Sequence, residues 1–168
     1  MNRWLRILRH RWLDEGDARR ALGRDGLERL RRRVAASERT HSGEIRVCIE
    51  AGLPLGSLWR GASARERALA LFGELRVWDT EHNNGVLIYL LLAERRIEIV
   101  ADRGLNRHFD ASHWHAITQG MGRAFRERKF EQGLDAAIDA VTASLNQHFP
   151  VAEGEPNPNE LPDAPELR

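Results

Sequence analysis

Seven consecutive apolar residues, Val86-Leu87-Ile88-Tyr89-Leu90-Leu91-Leu92, constrain this chain more than any other feature. The run is too short to cross a membrane and too uniformly apolar for a strand with one wet face. It has to be a central strand covered on both sides. A short charged turn, Ala93-Glu94-Arg95, leads into Arg96-Ile97-Glu98-Ile99-Val100-Ala101, which alternates as an antiparallel neighbour would. Two adjacent antiparallel strands carry the loop before the first and the loop after the second to the same end of the sheet. Asp79, Glu81, His82, Asn83 and Asn84 are therefore expected beside Asp102, Arg103, Asn106, His108 and Asp110.

The rest of the chain supplies layers for that hairpin. After Gly43, Ile45, Val47 and Ile49 alternate with Glu44, Arg46, Cys48 and Glu50, the pattern of a half-buried strand. Gly52, Pro54 and Gly56 break the chain. Ser63 and Glu66 then stand at capping-box spacing before a helix reaching about Val77, with Ala68, Leu71, Phe72 and Leu75 on its apolar face. Strand, helix and strand make a crossover, so the first two strands should be parallel and joined right-handedly. Asp110 or Ser112 should cap a helix bearing Trp114, Ile117, Met121 and Phe125. Leu134, Ile138, Val141, Leu145 and Phe149 mark the last helix, which Pro150 ends. Upstream, residues 3–13 form an amphipathic helix, and Asp25 with Glu28 is expected to open the next, striped by Leu27, Leu30 and Val34. The division is an arm over residues 1–24, an α/β domain over 25–149, and an acidic Pro-rich tail over 150–168 that is expected to be disordered.

Net charge is +1, so no global field selects for nucleic acid or membrane. Arg31, Arg32 and Arg33 would point in different directions on a helix, which argues against a nucleic-acid patch. Cys48 is the only cysteine, which excludes an intramolecular disulfide, and no histidine partner for a reactive thiol is inferred. Arginines interrupt the N-terminal apolar stretch, unlike a secretory signal, so a cytoplasmic protein is expected. Trp4, Leu5, Leu8 and Trp12 share one side of the first helix. The preferred reading packs those tryptophans on the domain. The alternative is weak contact with a membrane surface, which would make the protein peripheral to the inner membrane.

Three segments, SGEIRVCIEA at 42–51, NNGVLIYLLLAERRIEIVADRGL at 83–105 and FRERKFEQGLDAAIDAV at 125–141, occur in that order. Together they resemble the TPM domain family, which includes thylakoid acid-phosphatase-like and photosystem-repair proteins. The resemblance spans roughly residues 35–149. It implies a three-layer α/β/α sandwich with a short mixed sheet, Rossmann-like in outline, and a short soluble bacterial branch of the family. The family's Asp before Asn-Gly is Asn83 here, which removes a carboxylate from a position linked to metal binding. The family's Gly-rich segment after the hairpin is Asp102-Arg103-Gly104.

A hard cation such as Ca²⁺ or Mg²⁺ wants oxygen ligands, and Asp79, Glu81, Asn84, Asp102 and Asp110 offer them from neighbouring loops. Arg103 and Arg107 could hold a phosphate. A phosphatase built there would use Asp79, Asp102 and Arg103 catalytically. The plainer reading makes the acids soluble loop residues and Asp110 a helix cap. His113 and His115 are two apart and diverge on a helix; His82, His108 and His113 lack ligand spacing, so zinc is disfavoured. Asp110, Ser112 and His113 are too close in sequence to form a triad. No glycine-rich phosphate loop or dinucleotide fingerprint occurs, so no nucleotide or organic cofactor is expected. The functional expectation is a partner-binding or regulatory module tuned by a divalent cation, the partner being an unidentified protein that could itself be membrane-associated. Trp4, Trp12, Trp59, Trp78 and Trp114 offer anchors for such a partner. The alternative is a metal-dependent hydrolase of phosphate monoesters, and the amide at Asn83 favours the module.

Overall fold

The computed structural model describes residues 3–152 and 157–168. Strand β1 (Ile45–Glu50) pairs in parallel with β2 (Val86–Leu91), and β2 pairs antiparallel with β3 (Arg96–Ala101). The registers place Ile88 between Val47 and Ile99. Each residue of β2 is fully buried, as an all-apolar strand requires. Helices α2 (Glu15–Ser37), α6 (Ala111–Arg126) and α7 (Phe130–His148) cover one face of the sheet. Helices α3 (Leu55–Trp59) and α4 (Ala64–Glu74) cover the other. The result is the expected three-layer α/β/α sandwich with a mixed sheet. Ser63 caps α4, and its capping box with Glu66 is complete in both directions.

Strand β1 departs from the half-buried expectation, because all six of its residues are buried. The cause lies in the C-terminal segment. A short strand β4 (Glu166–Leu167) joins β1 in parallel, giving the order β3-β2-β1-β4. The polar phase of β1 is buried because that segment and α4 satisfy it. Arg46 donates to the carbonyls of Pro162 and Ala164 and pairs with Glu166 at 2.9 Å. Glu44 accepts the Leu161 N–H at 3.0 Å. Glu50 accepts from Tyr89 Oη at 2.6 Å and from Arg67 at 2.8 Å. The expectation of disorder from Val151 onward thus divides. Residues 153–156 lie outside the described residues, whereas residues 157–168 return to the domain and seal the outer edge of β1.

Helix α2 starts ten residues earlier than Asp25, since Asp14 and Asp17 form a reciprocal capping box. Gly23, at φ 71°, interrupts the helix two residues before Asp25, the expected start of the domain. Glu28 is no cap; it holds Arg31 and Arg32 at 2.8 and 2.9 Å, and Arg33 reaches Asp139 at 2.5 Å. Helix α1 (Arg3–Arg11) corrects the N-terminal expectation. Its tryptophans are not buried in the domain: Trp12 is 84% and Trp4 61% exposed, and Trp4 meets α3 edge-on at Trp59. Its polar side is the one that docks. His10 Nδ1 accepts the Leu53 N–H at 2.9 Å, and Arg6 binds Glu94 at 2.8 Å. The hydrogen bond from His10 and then the Arg6 guanidinium hold the Glu94 carboxyl down at about 2.

Removing the C-terminal strap would strand Arg46 and Glu44 without their partners. A chain ending at Ala152 should lose about 3 kcal/mol or more of stability in urea titration. Coincident unfolding of the short and full chains would mean the strap contributes nothing.

Candidate functional site

The rim where the two loops meet is built by close backbone approach. The Asp102 N–H donates to the Gly85 carbonyl at 2.9 Å, and the Gly104 N–H donates to the Asn83 carbonyl at 2.8 Å. A Cβ on Gly104 would come within 2.4 Å of the Asn83 oxygen, and one on Gly85 within 2.0 Å of the Val77 oxygen. Glycine is required at both positions for steric reasons alone. These contacts join the segment after α4 to the segment after β3, so the predicted juxtaposition of loops is realised.

Within that rim the predicted residues separate by role. Asn84 is fully buried; its Nδ2 donates to Ser42 Oγ at 3.2 Å, and its Oδ1 has no hydrogen-bond partner among the described residues. Asp102 is 9% exposed. Its Oδ1 accepts the Arg103 N–H at 2.6 Å, and its Oδ2 likewise has no partner among the described residues. Helix α5 (Arg103–Asn106) starts there. Asp79 and Glu81 are exposed on the loop before β2. Arg103 Nε donates to Asn83 Oδ1 at 2.8 Å, which ties the guanidinium across the two loops. Arg107 is exposed. Asp110 is occupied as the cap of α6: its Oδ1 accepts from Ser112 Oγ at 2.6 Å and from the His113 N–H at 3.0 Å. Those two contacts lower its carboxyl, Ser112 first.

His82 is exposed on the loop before β2, and the later histidines stack or hydrogen-bond with neighbours. His108 stacks on His148 with ring centroids 3.9 Å apart, and burial followed by the charge of His108 lowers the His148 imidazole. His113 Nε2 lies 3.0 Å from Ser144 Oγ. His115 meets Gln119 at 2.8 Å. Cys48 is buried, and burial pushes its thiol up to about 12, which makes it inert. Among the described residues no group of three or more His, Cys, Asp or Glu side chains is placed to hold a metal ion. The chemistry of the rim is therefore that of a few hard oxygens, two of them buried and unsatisfied.

Sequence reasoning missed the contribution of the tail. The Glu81 N–H donates to the Glu160 carboxylate at 3.1 Å, and Asn157 Nδ2 donates to the carbonyls of Glu38 and His41 at 2.6 and 2.9 Å. A cleft of about 270 Å³ opens between Ser42, Glu81, His82, Asn157 and Glu160. The acidic composition of the tail was the only available signal. Beneath it, burial and then the nearby charges of Glu44 and Asp163 push the Glu38 carboxyl up to about 8, against the opposing Ile45 N–H. Burial also lowers His41 to about 4.

A TPM domain model matches residues 17–144, more than half of the chain, and the protein belongs to the TPM domain family. A similar solved structure is the NMR structure of the BA42 protein from the psychrophilic bacterium Bizionia argentinensis. It shares 26% identity, aligns over 86% of this chain and 94% of its own, and superposes with a TM-score of 0.73. Among curated proteins no relative matches. No described helix is long and apolar enough to cross a membrane.

Glu38 predicts a pH dependence. Between about pH 4.5 and 8 the folded chain keeps a proton that the unfolded chain releases, so this group makes stability fall as pH rises. His41 acts oppositely between about 4 and 6.5, where the unfolded chain binds the extra proton. The window free of the opposing His41 effect is therefore about pH 6.5–8, and the Glu44 carboxyl, also raised by burial, acts in the same sense as Glu38. Urea titrations across it should show declining stability that Glu38→Gln flattens. An equal slope in both proteins would refute the assignment.

Proposed function

We propose that this TPM domain is a noncatalytic, cation-responsive regulatory module whose ion is held at the rim between the β2 and β3 loops. The observation that carries the reading is the pair of buried acceptors without partners, Asn84 Oδ1 and Asp102 Oδ2, on segments joined by two backbone hydrogen bonds. An unsatisfied buried acceptor costs about 1–3 kcal/mol. A divalent ion would satisfy both oxygens and balance the Asp102 carboxylate. Mg²⁺ would complete its shell with water. Ca²⁺, which takes more ligands, would draw in Asp79 or Glu81 from the exposed loop. Binding would tighten the loops around Gly85 and Gly104, and a protein partner reading those loops would sense the ion.

The hydrolase alternative uses the same rim, with Asp79 and Asp102 at the ion and Arg103 as phosphate holder. Arg103 is exposed beside the loops, which is the observation in its favour. Its Nε is engaged by Asn83, which favours a structural role.

Mg²⁺, Ca²⁺ or Mn²⁺ at about a hundred times Kd should raise Tm by about 5 °C or more. Asp102→Asn should abolish the shift while leaving the metal-free Tm equal or higher, since the buried charge is gone. No shift with any of the three ions, or a shift unchanged by Asp102→Asn, would end the proposal. Turnover of a generic phosphomonoester that disappears in Asp102→Asn would favour the hydrolase instead.

A further inference from the structure

Helix α1 is amphipathic, and it is docked the wrong way round for a core helix. Its polar residues Arg6 and His10 reach the domain together with Ile7, and its other apolar residues, Trp4, Leu5 and Leu8, face outward. The outward stripe of Trp4, Leu5, Leu8 and Trp12 continues onto α3 through Trp59, whose ring stands edge-on to Trp4 at 6.1 Å. Trp59 is 53% exposed and Leu55 beside it 45%. Steric pressure also fixes the orientation of α1. A Cβ on Gly52 would lie 2.5 Å from the His10 carbonyl oxygen, so the end of α1 rests directly on backbone.

At 100° per residue, Arg9 and Arg11 fall on opposite flanks of the apolar stripe. Neither makes an ion pair among the described residues. Beside the stripe lies a cleft of about 560 Å³, with Trp12, Leu13 and Phe130 in its wall and Arg9, Arg95 and Arg128 around it. Those three arginines also lack ion-pair partners among the described residues. The one acid of the wall, Asp17, is already paired with Arg20 at 2.8 Å.

We propose that this face docks on an anionic phospholipid surface, with Trp4, Leu8, Trp12 and Trp59 seated at the headgroup–acyl boundary and the flanking arginines on lipid phosphates. Tryptophan at the boundary and arginine beside it are the arrangement an interfacial helix uses. A second copy of the chain is the poorer occupant. In a two-fold contact each patch meets its own image, which would bring arginine-flanked stripes together while the exposed acids that follow Trp12, Asp14 and Glu15, already face Arg20 and Arg19. An anionic surface meets both halves of the face, the apolar stripe and its positive border. The proposal is independent of the cation reading, because the face lies at the turn end of the β2–β3 hairpin and the rim at its open end.

The test is co-sedimentation of the full chain with phosphatidylcholine vesicles, with and without about a third phosphatidylglycerol, followed also by tryptophan emission. The wild type should bind the anionic vesicles with a blue shift and bind the neutral ones far more weakly. Arg9→Glu with Arg11→Glu should weaken binding at least about tenfold. Leu8→Glu with Trp12→Glu should abolish it. All four side chains are exposed, so circular dichroism and Tm should not move. Failure of the wild type to bind anionic vesicles overturns the proposal whatever the variants do. Equal binding to both lipids overturns it too. So does concentration-dependent dimerisation without lipid that Trp12→Glu removes, which would assign the face to a second copy.

Discussion

Strand β2 has no side that tolerates water, and the rest of the architecture answers that constraint. Its alternate residues project into two different cores: Val86, Ile88 and Leu90 meet α2, α6 and α7, while Leu87, Tyr89 and Leu91 meet the α3–α4 side. A strand buried on both faces requires strands on both edges and helices on both faces. β1 and β3 provide the first, and the crossover helix and the C-terminal pair provide the second. The same demand then falls on β1, whose alternate residues are polar. That is why the chain returns after α7: the segment ending at Arg168 supplies carbonyls, a carboxylate and two residues of strand to a row that could not otherwise be buried.

The rim is a consequence of that packing. Because β2 and β3 are antiparallel and in full register, the chain must enter β2 and leave β3 at one end. Gly85 and Gly104 let the two segments close to hydrogen-bonding distance. Backbone pairing then uses the main-chain groups while leaving one oxygen each of Asn84 and Asp102 buried and unanswered. Natural interiors rarely leave such atoms without a partner, and these two are the acceptors that the proposed ion would answer.

The hairpin, the crossover and the caps of α4 and α6 were legible in the sequence, because each rests on a local pattern: an apolar run, a capping box, a helical repeat. What was not legible depended on distant partners. Glu44, Arg46 and Glu50 look like a wet strand face until the tail meets the first two and Arg67 of α4 meets the third, and Glu166-Leu167 has no periodicity that would mark it as a strand. For the candidate site, topology alone foretold which loops meet. It could not foretell that Asp110 would spend its carboxylate on the turn that starts α6 while Asp102 kept an oxygen free. Both are aspartates immediately before a helix, and only the neighbouring backbone distinguishes them. Helix α1 inverted expectation for a similar reason. Its stripe is clear in the sequence, but the side that docks was decided by Glu94 and the Leu53 N–H, each remote in sequence from α1.

The two proposed surfaces lie at opposite ends of the same hairpin. Glu94, in the turn after β2, anchors Arg6 and His10 of α1; Gly85 and Asp102, at the open end, border the cation rim. Six residues of extended strand separate them, about 20 Å at the usual rise. With α1 lying on a bilayer, the rim would therefore stand off from the surface, clear of the lipid headgroups. β2 and β3 fix that spacing, since they pair along all six residues of each strand. The hairpin that most constrains folding would then also set the distance between a docking face and a sensing face. The orientation of α1 is what makes this arrangement coherent: had its tryptophans packed inward, the turn end of the hairpin would present only charge.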